Sequence, residues 1–317
     1  MDPHYPTSYT QEWSLALQRQ LVRSFFLDIS YQGSHGVHEP IGYNANQAAI
    51  GPGTIQSKRP YPQWGNVTYS DDIGFSTFHS LVAKVERRYT NGLSVQSSFV
   101  YSKTLDLQTL QSTGASGDGG IRNDYNLKAE YGRAAIDGRF RSVSNYVYRL
   151  PFGKGRAYLS SAPGWLEAIA GGWETTGILT LQSGRPFTVT TTKDLANDGG
   201  GSRPILVGNP RLANPGVNEW FNPAGFTDVI ASGTYTYGNE GRNILDAPGL
   251  FNFDLGLYKN FSFKERFDLQ LRAESFNALN HANFSAPNAN LDAANVGQIG
   301  STATPNRSIQ FALKLRY

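Results

Sequence analysis

Strict alternation of apolar and polar residues recurs along the whole chain. This period of two is the pattern of a β-strand with two unlike faces. Trp13, Leu15 and Leu17 oppose Glu12, Ser14 and Gln18, and Phe25, Leu27, Ile29 and Tyr31 oppose Asp28, Ser30 and Gln32. Leu81, Ala83, Val85 and Tyr89 then face away from Ser80, Lys84, Glu86 and Arg88. After Thr90-Asn91-Gly92, a hairpin-type turn, the pattern resumes with Leu93, Val95, Phe99 and Tyr101. Phe140, Tyr146, Tyr148 and Leu150 mark a fifth strand, and Trp173, Leu179 and Leu181 a sixth. The last third is the most regular. Phe251, Phe253, Leu255, Leu257 and Phe261 alternate with Asn252, Asp254, Gly256 and Asn260, and Phe267 to Ala273 and Ile309 to Tyr317 alternate likewise. The count is nine strands in 317 residues, and the fold class is all-β.

The connections between these strands alternate too. Short turns are expected near residues 20–23, 90–92 and 262–265, with a medium link at 151–171. Long polar segments fall at 34–77, 104–138, 183–249 and 279–307, rich in Gly, Asn, Asp and Ser. Loops beyond ~12–15 residues are uncommon in compact domains unless functional. Four of them alternating with shorter links match an outer-membrane barrel, which has short periplasmic turns and long extracellular loops.

Composition narrows the classes. The net charge is +3, with 17% charged residues, too mild for a dedicated nucleic-acid binder. Mean hydropathy is −0.40, and no apolar run exceeds three residues. A membrane helix needs about 20 mostly apolar residues, so a helical membrane protein is excluded. The absence of cysteine removes disulfide scaffolds, thiol nucleophiles and cysteine metal sites. Met1 to Pro6 has neither the basic nor the apolar region of a secretory signal.

Alternation alone does not say which face is wet. In a soluble sandwich the apolar face is the core; in a membrane barrel it meets lipid and the polar face lines the lumen. Three details favour the barrel. The apolar face stays aromatic towards strand ends, at Trp13, Tyr31, Tyr89, Tyr101, Trp173, Phe261 and Tyr317, as interfacial girdles require. The strands exceed the modal length of about 5–6 residues. The polar face carries Glu86, Glu174, Asp254, Asp268 and Glu274 among Arg88, Arg139, Arg141, Arg272 and Lys314, which suits ion-pair ladders in a hydrated lumen.

Several segments carry a family resemblance. They are Arg59-Pro60-Tyr61-Pro62, residues 81–93, Tyr101 to Asp106, Tyr148 to Gly155, Gly172-Trp173 leading to residues 181–187, and residues 272–284. In order and spacing these resemble the C-terminal barrel region of TonB-dependent outer-membrane receptors, most of all the Oar-like group with a carboxypeptidase-regulatory-like domain. The resemblance implies an antiparallel transmembrane β-barrel segment in the cell outer membrane, the C-terminal part of a barrel of about 22 strands. It implies one β-barrel domain over residues 1–317, without the family's signal peptide, TonB box and plug. It further implies outer-membrane lipid, the barrel-assembly machinery and the TonB complex as partners. Import of a bulky nutrient is the implied activity, with oligosaccharide, siderophore and peptide left open. An adhesive or structural barrel without transport is the alternative, and a soluble all-β binding module the third reading.

Residue-level candidates are few. Ile309 to Tyr317 is similar to the terminal strand by which barrel precursors are recognised for assembly, with Phe311, Leu313, Leu315 and Tyr317 on its apolar face. Such a strand can pair with a partner's sheet edge and place alternate side chains in pockets. His35 and His38 have the spacing of a metal pair, yet read as ordinary loop histidines at the start of a long loop. His281 reads as a capping or loop residue. Asp194, Asn197 and Asp198 offer hard oxygen ligands for calcium, but their spacing does not follow the EF-hand pattern, and a turn-rich loop is the plainer reading. Gly153-Lys154-Gly155 is not at a strand–helix junction, so no phosphate cradle is expected. Gln182-Ser183-Gly184 lacks the G-x-S-x-G frame. No catalytic residue, cofactor or metal site is expected, and the chain reads as a non-enzyme.

Overall fold

The computed structural model describes residues 6–22, 24–108, 121–263 and 267–316. Its strands, in chain order, are β1 (Tyr9–Val22), β2 (Phe25–Asn44), β3 (Thr68–Thr90), β4 (Leu93–Asp106), β5 (Gly132–Arg133), β6 (Phe140–Arg149) and β7 (Trp173–Gln182). The two-residue strands β8 (Pro186–Phe187), β9 (Ile205–Leu206), β10 (Phe226–Thr227) and β11 (Leu245–Asp246) precede β12 (Leu250–Phe263), β13 (Phe267–Phe276) and β14 (Ser308–Arg316). One α-helix of seven residues, α1 (Gly164–Ala170), interrupts the link between β6 and β7. No described helix is long and apolar enough to cross a membrane.

The nine long strands form one antiparallel sheet in the order β1-β2-β3-β4-β6-β7-β12-β13-β14, with β5 added to β4. It does not close on itself. Each long strand pairs with its neighbours in sequence, so the sheet is a meander, and the nine alternating segments are its nine walls.

Register makes the alternation continuous across strands. One row runs Leu15–Tyr31–Leu81–Tyr101–Phe140, another Leu93–Tyr148–Thr175–Leu257–Ala273–Phe311. A one-residue slip anywhere would turn an apolar strand face to the other side. Along β4, Tyr101 and Leu93 are eight residues apart, about 26 Å at ~3.3 Å per residue. That matches the apolar band of about 25 Å in outer-membrane barrels. Aromatic side chains border it. The upper row holds Tyr31, Tyr101 and Phe140, all exposed. Trp173 and Phe261 lie just below the lower row, beyond Tyr148. Above the upper row the Trp13 indole lies across Gly33, where a Cβ would meet the ring at 2.4 Å.

β2 and β3 run further than the alternation indicates. Residues 34–44 and 68–77 belong to strands, not to the long loop expected at 34–77. At 20 and 23 residues these strands reach about 66 and 76 Å, well beyond a bilayer. Register shifts around Glu39 break the period of two, and Gly, Ser and Glu replace apolar residues above the lipid. β4 likewise extends to Asp106, past the expected start of the loop at 104. His35 and His38 are therefore strand residues: their Nδ1 atoms meet the carbonyls of Ser76 at 2.8 Å and Asp72 at 3.1 Å.

Asn91 and Gly92 make the short turn with φ of 52° and 82°, the left-handed pair a two-residue hairpin needs. The first turn is tighter than expected, since Val22 still pairs with Phe25. The expected turn at Lys264-Glu265, the glycine run at 114–120 and Tyr317 lie outside the described residues.

Strand parity places 45–67, 107–108 with 121–139, 183–249 and 277–307 at one end of the sheet, and residues 91–92 and 150–172 at the other. The polar face is less of an ion-pair ladder than expected. Among the described residues its strand pairs are Lys84–Glu86 at 3.9 Å and Arg149–Glu174 at 3.0 Å. Glu274 instead accepts from Tyr258 at 2.9 Å and Gln310 at 2.5 Å, and Asp254 from Asn252 and the Asn277 N–H.

Candidate functional site

The long connections fold together into a cap with its own core. Phe187, Val189, Phe221, Phe226, Leu245 and Ala289 are buried against one another. Two miniature ladders hold them. β8 pairs with β11, setting Phe187 opposite Leu245, and β9 pairs with β10. The two ladders join residues 20 to 60 positions apart, and the core takes in Ala289, a hundred positions beyond Val189.

A charged network lies beside this core. Glu130 has no exposed surface; Arg203 donates to its carboxylate and Arg122 stands 3.7 Å away. Arg242, also buried, donates to Asp106 and to the Leu107 carbonyl. Buried charges persist only when paired and hydrogen-bonded. Burial nevertheless lowers the Arg242 guanidinium to about 10 and pushes the Glu240 carboxyl up to about 8. Glu240 accepts the Val189 N–H at 2.9 Å through Oε1, while its Oε2 is buried without a partner among the described residues.

Gln47 ties three connections together. Its amide donates to the Arg122 carbonyl at 2.8 Å and to Asp198 at 2.7 Å, and its Oε1 accepts the Asp124 N–H at 2.8 Å. Burial, reinforced by the charges of Asp198 and Glu130, pushes Asp124 up to about 6. Asp194, Asn197 and Asp198, considered above as oxygen ligands, are committed to backbone instead. Asp194 accepts from the N–H groups of Asp198 and Gly199, Asp198 from Gly200, and Asn197 donates to the carbonyls of Gly51 and Gly53. No group of three or more metal-ligating side chains occurs among the described residues. His281 fills its expected loop place: its N–H donates to Asn277 Oδ1 at 2.9 Å.

Above the network the cap presents aromatic rings. Tyr61 and Trp64 are both more than half exposed, with ring centroids 5.5 Å apart. Asn46 fixes the loop that carries them. Its amide donates to the carbonyls of Tyr61, Trp64 and Gly65 at 2.8–3.2 Å, and its Oδ1 accepts the Tyr61 N–H. Tyr125, also exposed, anchors its hydroxyl on the Gln47 carbonyl at 2.5 Å. Sequence reasoning singled out none of these as a site. Arg59-Pro60-Tyr61-Pro62 was the one visible sign, a rigid aromatic turn in a polar segment.

On the terminal strand, Phe311, Leu313 and Leu315 pair with Ala273, Leu271 and Leu269 and are all exposed on one face, Phe311 to 81%. Tyr317 lies beyond the described residues.

An antiparallel meander with a lipid-height apolar band, aromatic borders and all long connections at one end defines the wall of an outer-membrane β-barrel. The chain belongs to the outer membrane beta barrel domain family, whose model matches residues 1–310, and its place is the bacterial outer membrane. No curated protein matches its sequence. Among solved structures it is similar to the outer membrane transporter YddB from Escherichia coli, with a TM-score of 0.52 and 11% identity, over 99% of this chain and 33% of that one. FpvA of P. aeruginosa, solved bound to heterologous pyoverdines, matches with a TM-score of 0.43 and 9% identity, over 100% of this chain and 29% of that one. The chain thus spans about a third of the length of the solved structures it matches.

Proposed function

We propose that the chain is a sector of a TonB-dependent receptor of the Oar-like group, which imports a bulky nutrient through the outer membrane. In this reading the nine strands are part of a barrel of about 22. The cap captures the ligand outside the cell, and the receptor's plug is displaced by force from the TonB complex. The barrel-assembly machinery reads the terminal strand, Phe311 to Tyr317, during insertion. The reading assigns the chain no catalysis. One observation carries it: four long connections converge into a packed cap that holds Tyr61, Trp64 and Tyr125 outward. Exposed, rigidly mounted aromatics are typical of contact surfaces. The fold likeness to an outer membrane transporter supports it as well.

The test is uptake by cells carrying the intact receptor, supplied with candidate oligosaccharides, siderophores and peptides, with and without TonB. The expected result is accumulation of one class that stops when TonB is removed. Binding at the cell surface unchanged by TonB, with no accumulation, would favour the adhesive barrel instead.

A further inference from the structure

The link between β6 and β7, at the short-turn end, carries features that capture from outside does not use. Lys259 belongs by parity to the lipid-facing set, between Leu257 and Phe261, yet it is only 3% exposed. Its ammonium lies over the rings of Trp173 and Phe261, at 5.4 and 5.0 Å, and donates to the Gly171 carbonyl at the end of α1. The Trp173 indole N–H donates to the Ile169 carbonyl at 2.8 Å. Two outward side chains of the wall therefore hold α1 against the outside of the barrel. They hold it just below the row of Leu93, Tyr148 and Leu257, where the apolar band ends.

On α1, Trp165 and Ile169 stand one turn apart and are 67% and 65% exposed. A helix that shows its apolar side outward, on the lipid face and at this height, is continuous with the membrane-facing wall. Glu167 turns the other way, accepting the Lys154 N–H at 2.6 Å and packing between Gly153 and Gly171. Lys154 and Arg156 are exposed beside it. A cavity of about 820 Å³ opens between the link and the strand ends, lined among others by Lys154, Arg156, Glu167, Lys259, Trp173 and Phe261. Four cations, Arg149, Lys154, Arg156 and Lys259, line the cavity against three carboxylates, Glu167, Glu174 and Asp268, and since Arg149 is paired with Glu174 the surplus of one positive charge falls on the side of Lys154 and Arg156.

We propose that this link is a binding site for an anionic phospholipid of the inner leaflet. Lys154 and Arg156 hold its phosphate at the cavity, with Lys259 behind them, and Trp165 and Ile169 sit among its acyl chains. The arrangement is that of an interfacial anchor, in which an apolar side enters the acyl boundary and basic groups meet headgroups.

The experiment is native mass spectrometry of the intact protein in detergent, titrated with phosphatidylglycerol and separately with inorganic phosphate. The expected result is one retained phosphatidylglycerol, with affinity falling at least tenfold in the double variant Lys154→Gln, Arg156→Gln. The pair Trp165→Ser, Ile169→Ser should weaken lipid retention and leave phosphate binding as it was. Unchanged lipid affinity in the charge variant would overturn the proposal. So would displacement of the lipid by millimolar phosphate, which would make this a free-anion site. If the charge variant does not assemble, fluorescence decides. Brominated phosphatidylglycerol vesicles should quench the wild type more than Trp165→Phe, and equal quenching of the two would reject the proposal.

Discussion

The Glu240 carboxylate accepts the backbone N–H of Val189, 51 positions earlier in the chain, at 2.9 Å inside the cap. Val189 belongs to the apolar core, so one titratable group fastens that core from its polar side.

This makes the cap sensitive to pH in a defined direction. Burial raises Glu240 from 4.5 to about 8, so the folded cap holds the proton more tightly than the unfolded chain. The stabilisation from the neutral carboxyl is complete below about 4.5 and lost as pH rises through about 8. Asp124, raised from 3.8 to about 6, acts in the same sense over its own lower window. Amide protection at residues 187–189, taken relative to the intrinsic exchange rate at each pH, should be greater at pH 5 than at pH 8.5. In Glu240→Gln, which keeps the acceptor for Val189, most of that difference should vanish.

Adjacent residues on β14 test which face meets lipid. Phe311 is level with Ala273 and Leu257, and Gln310 beside it donates to Glu274 on the polar face at 2.5 Å. Phe311→Arg, at the border of the apolar band, should cost about 1 kcal/mol of barrel stability, against about 2–4 kcal/mol for Val85→Arg, which lies midway between the two rows opposite Ser97. Gln310→Arg gains a partner in Glu274 and should be nearly neutral. Urea unfolding in lipid vesicles measures all three, and equal costs would mean the apolar face is not in lipid.

Glu130 neutralises two buried guanidiniums, Arg122 and Arg203. Glu130→Ala leaves them unpaired, which costs about 3–5 kcal/mol in buried settings. The expected outcome is a normally inserted barrel whose cap is cut by external protease.

Asn46→Asp replaces an amide that donates to three carbonyls with a carboxylate pointed at them. The loss should be about 1–3 kcal/mol for each group left unsatisfied. Tyr61 and Trp64 would then lose their fixed mounting. Ligand binding should fall as far as in Tyr61→Ala, Trp64→Ala, while surface abundance stays at the wild-type level.

Tyr317 separates assembly from stability. Deleting it, or making Tyr317→Ser, should lower the amount of protein reaching the outer membrane. Tyr101→Ser removes a comparable interfacial ring from the upper row and should leave that amount unchanged. Quantitative surface labelling at equal synthesis gives the comparison, and equal abundance would make Tyr317 only another girdle residue.

The wall was legible because alternation is a local property: Leu269 beside Gln270 already states the two faces. The extra length of β2 and β3 was hidden where bulges near Glu39 shift the phase. The cap was not legible, because its clasps join residues far apart, as Gln47 meets Asp198 across 151 positions and Thr191 meets Asp292 across 101. No window along the chain contains both partners. The misreading of His35 and His38 as loop residues has the same root, since polar residues that pair above the lipid leave no apolar trace.

That difference between wall and cap also sets an order in time. Each long strand pairs with its neighbour in sequence, so the wall can grow hairpin by hairpin with little chain entropy to overcome. The cap's clasps close only after the strands have gathered the four connections at one rim, and they are therefore the last contacts to form. Damage to the cap leaves insertion on schedule and shows itself late, as a correctly placed barrel that stands open at the cell surface.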